Sequence, residues 1–158
     1  MDKTQAVINF LIECPQIKSS PLYFQFAHAE EDNKQFVTVA NDINIQRPYI
    51  DGSVLKRYSF TLIDYKSLAY RAIVKDTGYT DENVEEYLQV QDIIDWINTQ
   101  ADNENYPDFG EYYEIDNMKA LSDIPNLNGI DTSMKPVIAK YSFSVQIDYI
   151  DKTKVIWR

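Results

Sequence analysis

One histidine, one cysteine and 25 carboxylates are the side chains of this 158-residue chain whose types could do chemistry. A lone His28 leaves no two-histidine metal site, and a lone Cys14 leaves neither an internal disulfide nor a cysteine zinc site. Pairing the two as nucleophile and base would join a cysteine on a helical stripe to a histidine at a strand end. A small core cysteine and a surface histidine are the plainer reading. The carboxylates crowd into "DNENYPDFGEYYE" at 102–114, where an acid–base pair or a divalent cation is conceivable. The calcium-loop spacing fails there, because Tyr106 stands at the third ligand position counted from Asp102. Gly52, Gly78, Gly110 and Gly129 never cluster into a phosphate-cradling loop, and no glycine-flanked serine forms a nucleophile elbow. The expectation is a protein without catalytic residues, cofactor or metal.

Charge is distributed unevenly. Residues 76–118 hold 13 acids and no Lys or Arg, while the rest is mildly basic within a net charge of −10. Such a stretch is either a solvated acidic face or a surface that repels or imitates nucleic acid. Phosphate binding through it is disfavoured for want of cations. With 44% apolar and 13% aromatic residues the chain has the composition of a folded protein, and its length suits one domain, 1–158. Twelve tyrosines against four glycines suit β surfaces and interfaces. No apolar run nears the ~18 residues of a membrane span, and no signal-peptide pattern stands at the start. Cytoplasm, or a particle assembled there, is the expected location.

Periodicity indicates the elements that would position these residues. Val7, Phe10, Leu11 and Cys14 recur at helical spacing, with Asp2 or Thr4 as cap and Pro15 as the stop. "LYFQFAH" (22–28) and "KQFVTVAN" (34–41) read as a hairpin around the polar loop 29–33. "DINIQRPYIDGS" (42–53) reads as an irregular excursion or a second, protruding hairpin. Thr80 would cap a long helix whose face is Val84, Tyr87, Leu88, Gln91, Ile94, Ile97 and Ala101. A loop at 101–110, a strand at 111–121 and a long loop at 122–136 precede a clean final strand. That strand carries Tyr141, Phe143, Val145, Ile147 and Tyr149 on one face.

"KRYSFTLIDY" (56–65) and "AKYSFSVQIDY" (139–149) nearly repeat one strand, 83 residues apart. Their flanks do not match and the second carries an extra Gln146, so two strands of one sheet are preferred to a tandem duplication. The implied fold is α+β, a mostly antiparallel sheet with two helices packed on one face and protruding loops or hairpin. Apolar residues also stand in loop-like segments: Ile43, Ile45, Tyr49 and Ile50 in one, Ile124, Leu127 and Ile130 in the other. They either tuck over the domain's own core or reach a neighbouring subunit, and Trp157 is a further contact candidate.

The layout resembles a known group. A short N-terminal helix, a hairpin with an acidic loop, an Arg-Tyr-Ser-Phe strand (57–60), a long acidic helix and closing strands resemble, over 4–157, the tail terminator proteins of tailed bacteriophages. The related minor capsid-like and tail-completion proteins of phages of low-GC Gram-positive bacteria are similar too. The resemblance implies a structural virion protein that forms a hexameric ring, caps the tail tube, ends its polymerisation and joins tail to neck or head. The implied partners are further copies of the chain in a homo-hexamer, the tail tube protein, a neck or head-completion protein and, in contractile tails, the sheath protein. DNA would pass through the ring without specific binding, and no membrane is involved. The implied location is the virion, assembled in the host bacterial cytoplasm. Acids lying off the apolar stripe of the long helix, Glu82, Glu85, Glu86, Asp92 and Asp95, are the candidates for an acidic lumen. Another neck or tail-completion role is the nearest alternative. A different class is a soluble acidic DNA mimic, whose carboxylates should line one face at phosphate-like intervals. Here the acids interleave with Tyr106, Tyr112 and Tyr113 instead.

Overall fold

The computed structural model describes the chain apart from residues 1, 31, 40–44, 69–71, 76–77, 134, 136 and 156–158, and describes only the backbone at 45–46, 72–75 and 78–82. Among the described residues the order is α1 (Lys3–Leu11), α2 (Pro15–Lys18), β1 (Leu22–Phe24), β2 (Lys34–Val39), β3 (Ile45–Pro48) and β4 (Val54–Leu68). There follow β5 (Ala72–Lys75), β6 (Gly78–Asp81), α3 (Glu82–Asp102), β7 (Tyr113–Ala120), β8 (Asn126–Asp131) and β9 (Val137–Asp151).

The spine is an antiparallel pair, β4 and β9, matched along all 15 residues of each. β2 and β3 lie end to end along the outer edge of β4, and β7 and β8 do the same along β9. β1 flanks β2, while β5 and β6 form a separate two-stranded hairpin. The fold is α+β with a mostly antiparallel sheet. The two near-copies of one strand are therefore neighbours. Thr61 stands opposite Ser144, its equivalent in the other copy, and their hydroxyls hydrogen-bond at 2.8 Å.

Strand alternation puts Phe60 and Leu62 on the same face as Phe143, Val145 and Ile147. Against that face pack Val7 and Leu11 of α1, Ile17 of α2, and Val90, Ile93, Ile94 and Ile97 of α3, all buried. Each such side chain contributes about 1.5–3 kcal/mol by leaving water. Cys14 is part of this core, whereas His28 is exposed. Among the described residues the far face carries a smaller cluster, Ala27, Ile63, Tyr65 and Ile138.

Several elements differ from the periodicity reading. α1 ends at Leu11, and Pro15 opens α2 instead of stopping α1, because a missing N–H is harmless in a first turn. Asp2 takes the N-cap position of α1 without a side-chain cap bond. Segments 22–28 and 34–41 form no hairpin, since β1 and β2 are parallel. Gln25 and Asp32 both adopt a left-handed φ of 64°, and between them Ala27 packs on Ile63 and Tyr65 of the far face. Neither turning residue is a glycine, so composition did not mark the crossing. The described part of the segment 42–53, from Ile45 on, does build a hairpin, β3–β4. The supposed loop 122–136 contains β8, whose Asn- and Gly-rich sequence hides a strand paired with β9. Thr80 belongs to β6, and the helix begins at Glu82. Val84 and Leu88 are about half exposed, because the first half of α3 turns Gln89 toward a lysine of β4 and buries Val90 instead.

Candidate functional site

Two kinds of surface answer to the residues singled out above. The first is a pair of apolar corners. At the β3–β4 tip, Tyr49 N–H donates to the Ser53 carbonyl, and the Asp51 carboxylate accepts from both the N–H and the hydroxyl of Ser53. Gly52 takes φ +94°, and a Cβ there would sit 2.5 Å from the Lys154 carbonyl oxygen. This tight turn drives Ile50 fully into solvent, with Tyr49 beside it at 38% exposure. Ile124, Leu127 and Ile130 are each about half exposed along β8 and its approach, and every residue of β8 is exposed. β3 pairs with residues 54–56 on the β4 edge, and β8 with residues 138–142 on the β9 edge. The register puts the two at diagonal corners of the spine, roughly 30 Å apart along the strands. Ile43 and Trp157 lie outside the described residues, and Ile45 is described by its backbone alone.

The second surface is the acidic side of α3. Glu85, Asp92 and Asp95 are exposed, and the side chain of Glu82 lies outside the described residues. Glu86 is only partly exposed and turns inward, 3.9 Å from Lys66. Among the described residues no group of three or more His, Cys, Asp or Glu could hold a metal ion, and no helix is long and apolar enough to cross a membrane.

A third arrangement escaped the sequence reading. Lys34 of β2 stands opposite Asp64 of β4, and Lys66 follows two residues on, all on the helix-covered face. Each of the three is at most 2% exposed. The Lys34 ammonium donates to Ser20 Oγ at 2.7 Å and to the Asp32 carbonyl at 3.4 Å. The Lys66 ammonium donates to Asp32 Oδ1 and Gln89 Oε1, both at 2.8 Å. Asp64 lies 3.5 Å from Lys34 Nζ and 3.8 Å from Lys66 Nζ, so it feels both charges but among the described residues accepts no short hydrogen bond at either oxygen. Burial outweighs the two ammoniums and pushes the Asp64 carboxyl up to about 6. Burial likewise pulls Lys34 below the ordinary lysine range, against the pull of Asp64. The group floors a cleft of about 410 Å³ walled by α2, Pro21, Asp32, Gln89 and Asp92. The signal was in the alternation: Tyr58, Phe60 and Leu62 lead on to Asp64 and Lys66 in the same phase.

Comparison with models of known protein families gives no match, and neither does comparison with curated protein sequences. The functional reading therefore rests on the chain itself. The apolar corners suit contact with protein surfaces, the acidic face repels phosphates, and the buried cluster brings an amine and a carboxyl together out of water.

Proposed function

We propose that the chain is a structural component of a tailed-phage particle, a ring-forming protein of the tail-terminator kind. In this role it caps the tail tube, ends its growth and joins the tail to the neck or head, with DNA passing through the ring. The observation that carries this reading is the pair of exposed apolar corners on opposite edges and opposite ends of one spine. Two different patches so placed favour head-to-tail contacts between copies, and such contacts close into a ring when the rotation allows. Exposed carboxylates at Glu85, Asp92 and Asp95 would let DNA slide past, since phosphate binding requires cations.

The test is negative-stain microscopy of the purified chain, alone and mixed with phage tail tubes. Rings, or density capping one tube end, are expected. Leu127→Asp and Ile50→Asp should each remove the rings or caps while leaving the circular-dichroism spectrum intact. A chain that stays monomeric and ignores the tubes would overturn the proposal and favour an inhibitor of nucleic-acid enzymes.

A further inference from the structure

The buried Lys34–Asp64 pair has the arrangement of two reactants rather than of a finished ion pair. A settled buried ion pair satisfies its oxygens with short hydrogen bonds, whereas among the described residues Asp64 has only the long contacts of 3.5 Å to Lys34 and 3.8 Å to Lys66. Its neighbours instead dispose both groups toward bond formation. Ser20 Oγ and the Asp32 carbonyl take two of the hydrogens on Lys34 Nζ, leaving one tetrahedral position for the Asp64 carboxyl 3.5 Å away. In the neutral amine that position is the lone pair. Lys66, anchored by Asp32 and Gln89, presents its positive charge to the other Asp64 oxygen at 3.8 Å. The strands β2 and β4 hold the two reactants opposite each other in register, so little translational freedom is left to lose.

We infer that Lys34 and Asp64 condense into an intramolecular amide that ties β2 covalently to β4. The reaction needs no outside reagent. The Lys34 amine lone pair attacks the carbon of the protonated Asp64 carboxyl, and Lys66 stabilises the negative charge that develops on oxygen. The C–N bond forms, a nitrogen proton passes to the departing hydroxyl, and one water leaves through the adjoining cleft. Burial raises the carboxyl toward its protonated form and lowers the amine toward its neutral form, the two states the step requires. The product replaces two poorly solvated charges with one neutral amide, and the burial of both side chains supplies the driving force. Asp32 and Glu86 balance the charge of Lys66, and Asp92 faces the same cleft from α3. This inference does not depend on the ring-forming role.

Intact-mass spectrometry of the purified full-length chain, denatured before measurement, decides the matter. The expected mass is that of the sequence less one water. Tandem spectrometry of a protease digest should place the loss on a branched peptide joining Lys34 to Asp64. Lys34→Arg should restore the full mass, and because the digest of the unaltered protein is read independently, a variant that fails to fold leaves the test intact. A full sequence mass in the unaltered, folded chain overturns the inference. A water loss mapped to Lys66 or to any other residue overturns it as well.

Discussion

At one end of β4, Lys56 and Arg57 hold Asp151 and Asp148 at 2.8 Å, in pairs that keep some contact with water. At the other end, Lys34 and Lys66 flank Asp64 at 3.5 and 3.8 Å behind the helices. Asp151 and Asp64 each have a lysine partner across a strand pair that includes β4, yet the two carboxyls move in opposite directions. Partial burial pushes Asp151 up, but hydrogen bonds from Lys56 and Thr153 outweigh it and hold the carboxyl at about 2. Asp64 has only longer contacts with its two ammoniums, and burial carries it to about 6. The difference shows that proximity of a cation does not by itself keep a carboxylate charged. Directed hydrogen bonds and residual water do.

The sharpest way to break this comparison is to remove the buried acid. Asp64→Ala removes the cross-link together with the acid, leaves two lysines buried with less countercharge, and should cost at least about 3–5 kcal/mol in urea unfolding. A cost near that of a surface pair would mean that the cluster is wet.

The pH dependence separates the two ends by sign. Asp151 has a folded value below its ordinary 3.8, so its contribution is present above that value and is lost as pH falls toward about 2. Discounted for its contact with solvent, this limb is worth roughly 1–2 kcal/mol. A free Asp64 carboxyl acts oppositely. Its contribution is present below 3.8 and is lost as pH rises through about 6. That loss would be about 3 kcal/mol. Once the amide has formed, Asp64 no longer titrates. Urea midpoints measured across acidic pH should therefore show the limb that Asp151 shares with Asp51 and Asp131, all held low, and a second limb of opposite slope would reveal an uncondensed carboxyl.

Smaller effects complete the series. Asp148→Ala removes a partly solvated partner of Arg57 and should lower stability by about 0.5–1 kcal/mol, less at high salt. Ile50→Asp should change stability by no more than about 0.5 kcal/mol, because the side chain touches water on all sides. Its expected effect is loss of self-association or tube capping, read by light scattering.

Much of the architecture could be read from the chain. The alternation of Tyr58, Phe60 and Leu62, and of Tyr141 to Tyr149, marks the spine because a half-buried strand must alternate. The Asp-Gly at 51–52 marks the β3–β4 turn, and the spacing of Ile94, Ile97 and Ala101 marks the second half of α3. The parallel pairing of β1 was not legible, since it depends on left-handed Gln25 and Asp32, and a non-glycine residue rarely takes that conformation even though Asp does so more readily than most. β8 was hidden because its two apolar residues, Leu127 and Ile130, stand three apart across a register shift and so do not alternate. The exposed positions of Ile50, Leu127 and Ile130 were open in the sequence, where an apolar loop residue reads equally as core cover or as contact.

By itself the sequence determined the α+β class, two similar strands of one sheet, the helical core stripe and an acidic segment free of cations. These are local properties, set by side-chain period and charge. Only the tertiary structure decided which apolar residues stay in solvent and at which corners of the sheet they stand. It alone placed Lys34, Asp64 and Lys66 together under the helices. Such placement depends on strand register and on which face the helices cover, and residues 30 apart in sequence carry no mark of becoming neighbours.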